Sequence, residues 1–324
     1  IRRIGADEFK SAPNPPNLPN PRSIATSHMT SSHPSAAMRP APRAAAYLAL
    51  GFGVLCIGLS AIFVKLASVP GPVSAFYRVF FAVVLLTPWW LLRRRAFPSR
   101  RVLLATALGG FFFAADLVLW NSAILLTDAG VATLLANNAP IWVGLAAWLF
   151  LHERLTANFW VGLTLSMAGM VLIVGVGGSL LTGSGLGNLM AVGASLLYAA
   201  YLLTTQRVRA QMDTVTFMMV SMGVGVVLLL PFNLALGMPL TGFTPGTWAA
   251  LLALGVVSQL GGWLAINYAL GHIQATRVSV TLLAQAVVTT LVAIPVLGEL
   301  PAPLQIIGGV MVLAGIYWVY RGRG

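Results

Sequence analysis

Arg78 and Asp116 lie well inside stretches of sequence that are otherwise apolar. If both stretches are helical, a rise of about 1.5 Å per residue places the two charges roughly 9 and 13 Å from the nearer helix end. An ionised aspartate within a membrane helix costs at least about 2.5–3.5 kcal/mol, so it should face a cavity or a partner. The similar depths indicate either a structural ion pair, or a site where Arg78 binds a carboxylate and Asp116 titrates or binds an amine.

Amide and aromatic side chains collect near the middle of the same and neighbouring apolar stretches. Buried amides must find hydrogen-bond partners, so these residues either link helices or bind a polar solute. These residues include several aromatic rings and few charged groups, a composition that favours binding of a zwitterionic or amphipathic solute. The substrate-binding residues predicted from this pattern are Arg78, Asp116, Trp120, Asn137, Asn138, Trp142, Tyr198, Tyr201, Gln259, Trp263 and Gln285.

Signatures of an enzyme or of a metal site are missing from the sequence. His152-Glu153 is not followed by the second histidine of the zincin pattern. Cys56 is the single cysteine, which excludes a disulfide framework and cysteine-based metal sites. The acids form no cluster that could bind Mg²⁺. We therefore expect no catalytic activity, no cofactor and no metal.

The composition indicates a membrane protein. Of the 324 residues, 58% are hydrophobic and only 8% are charged, whereas a soluble domain carries roughly 25% charged residues. This excludes an ordinary soluble enzyme. Residues 1–43 are rich in Pro, Ser, Asn and Ala and are predicted to be a disordered tail. Residue 1 is Ile, which leaves open an upstream extension or a non-native segment.

From residue 44 onward the chain consists of apolar stretches of about 20 residues, the length that spans a bilayer core. The connections are short and leave no room for a separate soluble domain. The ten predicted spans are approximately 44–66, 72–92, 102–124, 129–151, 156–176, 187–206, 214–236, 246–270, 274–297 and 301–320.

The basic residues are distributed unequally between the two sets of loops, and this predicts the orientation. The net charge of +12 comes from Arg and Lys between alternate spans and at the two ends. The other loops, such as 177–186 and 237–245, contain no Arg or Lys. By the positive-inside rule both termini are predicted to be cytoplasmic. The charge therefore indicates membrane topology, and we expect no nucleic-acid partner.

The chain repeats itself at an offset of 146 residues. Asn121 aligns with Asn267, Glu153 with Glu299, Gly162 with Gly308, and Gly169 with Gly315, without a gap. Each half holds five spans, an odd number, so the second half must insert upside down. Inverted repeats of this kind support alternating access in secondary transporters. The predicted domains are two five-helix repeats over 44–176 and 177–324.

Two segments carry a resemblance to a known family. Leu151-His152-Glu153-Arg154-Leu155-Thr156 precedes one glycine pair, and Leu297-Gly298-Glu299-Leu300-Pro301 precedes the other. This pattern resembles the EamA-type family of the drug/metabolite transporter superfamily. The resemblance implies a multi-pass carrier of the bacterial inner membrane that often exports amino acids or related metabolites. It also implies that the fifth and tenth spans lie at the periphery, while the others enclose a central cavity.

The fold expected is all-α, with ten transmembrane helices in two inverted five-helix repeats. The function expected is export of a small metabolite, an amino acid or derivative, across the cytoplasmic membrane by alternating access. The partners would be a small-molecule solute and the lipid bilayer, with a homodimer left open. Alternatives are a carrier of a larger solute, such as a nucleotide sugar, a vitamin or a lipid-linked headgroup, and a non-transporting membrane protein. Direction, coupling and substrate identity stay open.

Overall fold

A computed structural model of the chain describes residues 43–92, 98–126, 129–150, 152–174, 185–297 and 301–321. All regular elements within these ranges are helical, as expected where lipid cannot satisfy backbone hydrogen bonds. Of the predicted tail, residues 1–43, the structure describes only Arg43, as the first residue of α1, and Glu299 also falls outside the described residues. The helices are α1 (Arg43–Gly58), α2 (Ser60–Ala67), α3 (Gly71–Leu92), α4 (Arg100–Leu126), α5 (Ala129–Ala136), α6 (Ala139–Phe150), α7 (Ala157–Val174), α8 (Gly185–Arg209), α9 (Thr214–Ala235), α10 (Pro245–Ala253), a π-helix (Leu254–Gly262), α11 (Trp263–Leu270), α12 (Ala275–Leu282), α13 (Ala284–Leu297) and α14 (Pro303–Arg321).

Nine helical segments in the described ranges are long and apolar enough to cross a membrane. They correspond to nine of the ten predicted spans. The remaining span, predicted at 129–151, is interrupted in the structure. There the chain forms α5, two turn residues at Asn137 and Asn138, and α6. The apolar helical stretch Leu134–Phe150 is shorter than the nine others.

Several spans are built from two helices in series. The first span is interrupted at Leu59, and the ninth at Leu283, between α12 and α13. The break at Leu283 lies 146 residues after the break at Asn137, which is the offset of the sequence repeat. The eighth span changes from α-helix to π-helix at Leu254 and returns to α-helix at Trp263.

Local sequence explains where the helices after the polar turns begin. The Asp213 carboxylate accepts hydrogen bonds from the backbone N–H groups of Val215 and Thr216, at 3.1 and 3.2 Å, and so caps α9. The Thr244 hydroxyl accepts from the N–H of Thr247 at 3.2 Å, with Pro245 at the first position of α10. Such caps satisfy donors that the first helical turn leaves free.

The interior is formed mainly where α3, α4, α8 and α9 pack against one another, and where α3 and α1 pack against the π-helix. Helices α7 and α14 pack on each other. The outer side of α14 exposes large apolar side chains, among them Leu304, Ile306 and Val310 at 57, 56 and 63%. A surface of this kind suits lipid, where apolar exposure carries no penalty.

Candidate functional site

The Arg78 side chain is held by a residue of the π-helix. Its Nε donates a hydrogen bond to Gln259 Oε1 at 2.7 Å. Gln259 is fully buried, whereas Arg78 on α3 is only half-buried. No described residue accepts a hydrogen bond from the Nη groups of Arg78. The guanidinium is therefore anchored at one nitrogen and open at its end.

Asp116 on α4 and Tyr198 on α8 interact electrostatically with Arg78. Of the two alternatives for Arg78 and Asp116, the structural ion pair is not seen as a direct contact; the side-chain hydrogen bond of Arg78 within the described residues is to Gln259. Asp116 and Tyr198 are both half-buried, and neither has a hydrogen-bond partner among the described residues. Three polar groups thus approach one region, from three helices, without neutralising one another by direct contact.

The Trp263 ring packs against Tyr198 and so lies beside these polar groups. It is 5% exposed and lies edge-on to Tyr198, with ring centroids 5.9 Å apart, and edge-on to Phe113 at 5.0 Å. Its buried indole N–H has no hydrogen-bond acceptor in the described part of the chain. An unpartnered buried donor costs about 1–3 kcal/mol. We call Arg78, Asp116, Tyr198, Gln259 and Trp263 the central cluster.

A π-helix brings two members of the central cluster into place. Gln259 lies within Leu254–Gly262, and Trp263 follows its last residue. π-helical turns are rare and occur frequently at functional sites. Neighbouring helices approach this segment closely: a Cβ added at Gly255 would be 2.6 Å from Phe81 Cβ of α3, and one at Gly262 would be 3.0 Å from Cys56 Cβ of α1. Small residues therefore allow the π-helix to lie against both helices.

The predicted residues Asn137 and Gln285 lie at the two corresponding helix breaks and contact each other. Gln285 Nε2 donates to Asn137 Oδ1 at 3.2 Å. The backbone near Gln285 also lies against the end of α1, where Thr289 Oγ1 donates to the Gly58 carbonyl at 2.6 Å. Discontinuous helices at matching positions of two halves are the arrangement in which carriers build solute sites.

Four other predicted residues lie outside the central cluster. Tyr201 is fully buried, and its hydroxyl donates to Asn267 Oδ1 at 3.0 Å. The Trp142 indole donates to Ser195 Oγ at 2.7 Å and so links α6 to α8. Asn138 and Trp120 are half-buried, on the α5–α6 turn and on α4. The structure thus places five of the predicted residues in the central cluster and three more, Asn137, Asn138 and Gln285, at the helix breaks.

Two residues that contact the central cluster, Phe113 and Met222, were absent from the prediction, as was Met218, which contacts Asn267 outside the cluster. Phe113 is 2% exposed and packs on Trp263 one turn before Asp116. Met222 Sδ accepts from Gln259 Nε2 at 2.8 Å, and Met218 Sδ accepts from Asn267 Nδ2 at 2.9 Å. A helical spacing of three from Asp116 could have indicated Phe113. Nothing in the sequence indicated which methionines would face buried amides.

The sequence profile of the EamA-like transporter family matches the chain twice, over residues 44–175 and 185–321. The chain belongs to the EamA-like transporter family. It is accordingly a multi-pass membrane protein of a family whose members are named as transporters, not enzymes.

Relatives of this EamA-like transporter cover most of its length. A protein of Archaeoglobus fulgidus named as an uncharacterized transporter is 30% identical over 253 residues, which are 75% of this chain and 85% of the relative. A probable terminal-alkyne amino-acid exporter of Streptantibioticus cattleyicolor is 28% identical over 225 residues, covering 69% of this chain and 75% of the exporter.

The chain is also similar to a shorter protein and to a solved structure. The probable flippase subunit ArnE for 4-amino-4-deoxy-L-arabinose-phosphoundecaprenol, from Salmonella paratyphi B, is 28% identical over 74 residues, or 23% of this EamA-like transporter and 67% of ArnE. A crystal structure with 18% sequence identity matches with a TM-score of 0.73 and covers 86% of this chain and 98% of its own. At that identity the match establishes the fold alone.

Proposed function

We propose that this protein is a secondary carrier that exports an amino acid or a close derivative across the bacterial inner membrane. The observation that carries the proposal is the central cluster. A guanidinium and a carboxylate lie near each other inside the spans without a hydrogen bond between them. A zwitterion offers one group of opposite charge to each. Ionisable residues inside membrane spans are expensive and normally serve transport or pairing.

Alternating access would come from two inverted five-helix repeats. The double match of the family profile supports this architecture. Further support comes from the helix breaks at Asn137 and Leu283, which lie one repeat offset apart. The Gln285–Asn137 hydrogen bond would then lie at the repeat interface. Rocking of the halves about this interface would expose the solute to each side in turn.

The relative from Streptantibioticus cattleyicolor supports the solute class, because it is named as a probable amino-acid exporter. A carrier of a lipid-linked headgroup is a second candidate, favoured by the similarity to the flippase subunit. The two candidates differ in what leaves the cell. An amino-acid exporter raises the concentration of its solute in the medium, whereas a headgroup carrier changes only the headgroup composition of the envelope.

The test is untargeted metabolite profiling of the medium from cells that overexpress the protein. Controls are an empty vector and the Arg78→Gln variant, with membrane insertion of both proteins checked by quantitative immunoblotting. An amino acid or derivative enriched only by the unmodified protein supports the proposal. If the media of all three cultures have the same metabolite composition and the headgroup composition of the envelope is altered, the second candidate would replace the proposal of amino-acid export.

A further inference from the structure

The two ends of the Gln259 amide contact groups of different chemistry. Oε1 accepts from Arg78 Nε at 2.7 Å, and Nε2 donates to Met222 Sδ at 2.8 Å. Arginine has only donors, so the amide oxygen must face Arg78. The amide NH₂ must then face the sulfur, which is a weak acceptor. The chemistry of Arg78 and Met222 therefore fixes one orientation of the buried amide.

This orientation decides which edge of the guanidinium stays available. With Nε engaged by Gln259, the open edge is the one formed by the two Nη groups. No described residue accepts from them. A guanidinium edge with two parallel N–H donors matches a carboxylate in a bidentate arrangement, and such charge-assisted pairs are about twice as strong as neutral hydrogen bonds. The open edge therefore suits a carboxylate of the solute.

An amide held by a methionine of α9 occurs a second time, and there no described arginine contacts the amide oxygen; Arg209 donates to the backbone carbonyl of Asn267 instead. Met218, one turn before Met222, accepts from Asn267 Nδ2 at 2.9 Å. Asn267 Oδ1 accepts from the Tyr201 hydroxyl at 3.0 Å. Met218 and Met222 are both buried, at 0 and 1% exposure. Met218 thus provides a matched control, because its sulfur also accepts a hydrogen bond from a buried amide, and that amide does not contact Arg78.

We propose that Met222 is a positioning residue for carboxylate recognition. Its thioether holds the Gln259 amide, Gln259 holds Arg78 at Nε, and the Nη edge of Arg78 binds the carboxylate of the solute. The inference rests on the proposed function and adds the group by which the solute is recognised. In this arrangement Met222 fixes the orientation of Arg78 through Gln259 without touching the solute.

The experiment compares Met222→Leu with Met218→Leu in proteoliposomes. Both substitutions remove a thioether while roughly conserving side-chain volume. One set of vesicles contains a mixture of the twenty amino acids, and a parallel set contains their carboxamides, which lack the carboxylate. Initial efflux rates at several concentrations, measured by mass spectrometry, give a half-saturation concentration and a maximal rate for each transported solute.

Met222→Leu is expected to raise the half-saturation concentration for amino acids about tenfold, which corresponds to about 1.4 kcal/mol. The maximal rate should change less than about twofold, and Met218→Leu should leave both quantities close to the unmodified protein. Met222→Gln should restore much of the affinity, because its side-chain oxygen can accept from Gln259 Nε2. Gln259→Glu should abolish amino-acid efflux, because the new carboxylate would occupy Arg78.

Different outcomes overturn different statements. Unchanged kinetics in Met222→Leu, or equal losses in Met222→Leu and Met218→Leu, would overturn the positioning role and leave amino-acid export standing. Carboxamide efflux by the unmodified protein at rates equal to those of the amino acids would overturn carboxylate recognition. Efflux of neither mixture would overturn both this inference and the proposed function.

Discussion

Asp116 is an acid within the membrane whose carboxylate makes no hydrogen bond to any described residue. It interacts electrostatically with Arg78 and Tyr198, on two other helices. Arg78 is permanently charged under ordinary conditions, whereas a carboxyl group can lose its charge by binding a proton. Of the residues in the central cluster, Asp116 is therefore the one suited to coupling solute movement to a proton.

Asp116→Asn tests that role. An amide cannot bind the coupling proton, so we expect the variant to lose transport driven by a pH gradient while it retains solute exchange. Both quantities can be measured in the same proteoliposome preparation, with and without an imposed gradient. Transport that still follows the pH gradient in the variant would exclude Asp116 as the proton-binding group and would favour exchange or facilitated diffusion.

Trp263 and Trp142 form a matched pair for a second test. The Trp263 N–H is buried without an acceptor, whereas the Trp142 N–H donates to Ser195 at 2.7 Å. Replacing either by Phe removes the N–H and retains a ring. Trp142→Phe should lower the free energy of unfolding by about 1 kcal/mol, the usual value of one hydrogen bond.

Trp263→Phe should not lower stability through a lost hydrogen bond, because the native protein makes none there. If the solute accepts from this N–H, the variant should raise the half-saturation concentration for transport about five- to tenfold. Thermal unfolding in one detergent and efflux kinetics in vesicles supply the two readouts. A destabilised Trp263→Phe with normal kinetics would assign the residue to packing alone.

At the scale of elements, α7 and α14 cross through four glycines. A Cβ added at Gly169 would be 2.5 Å from the carbonyl oxygen of Gly308, and one at Gly308 would be 2.5 Å from that of Gly169. Gly162 and Gly315 are related in the same way, also at 2.5 Å. Backbones this close leave no room for a side chain, and membrane helices commonly associate through such small residues.

Gly308→Ala should therefore destabilise the protein by about 1–3 kcal/mol, as overpacking does elsewhere. Gly223→Ala on α9 is the control, because nothing lies within 4 Å of the Cβ it would add. That substitution should be neutral or stabilising by up to about 1 kcal/mol, since alanine favours helix over glycine. Thermal unfolding followed by tryptophan fluorescence compares the two. Equal midpoints for both variants would contradict the tight crossing.

The sequence predicts the apolar spans well because a bilayer imposes length and hydrophobicity on them directly. It predicts the π-helix poorly. The segment Leu254–Gly262 lies in close contact with Gly53 and Phe81 of other helices, and residue types alone do not reveal such contacts. The partner of Arg78 was missed for the same reason. The similar depth of the two residues indicated Asp116 as the partner of Arg78, but the side chain that accepts a hydrogen bond from Arg78 is Gln259 of the π-helix.

At the scale of the whole molecule, contacts between the two halves repeat with reversed order. Gly162 aligns in sequence with Gly308 yet contacts Gly315, and Gly169 aligns with Gly315 yet contacts Gly308. Such an exchange is what an approximate two-fold axis between antiparallel copies would produce. It supports the proposed inverted repeats and, with an odd number of spans in each half, the placement of both termini on one side.

The distribution of basic residues among the loops predicts how this arrangement is oriented in the membrane. The exposed residues Thr241 and Gln274 lie in turns at opposite ends of the eighth span, which runs from Pro245 to Leu270. The turn with Thr241 belongs to the loops without Arg or Lys, so the positive-inside rule predicts that it faces outward and Gln274 inward. In a Cys56→Ala background, which removes the single native cysteine, Thr241→Cys should react with a membrane-impermeant maleimide in intact cells. Gln274→Cys should react only after permeabilisation. The reverse labelling pattern would invert the orientation, and the central cluster would then have to be reached from the cytoplasm through the opposite end of each helix.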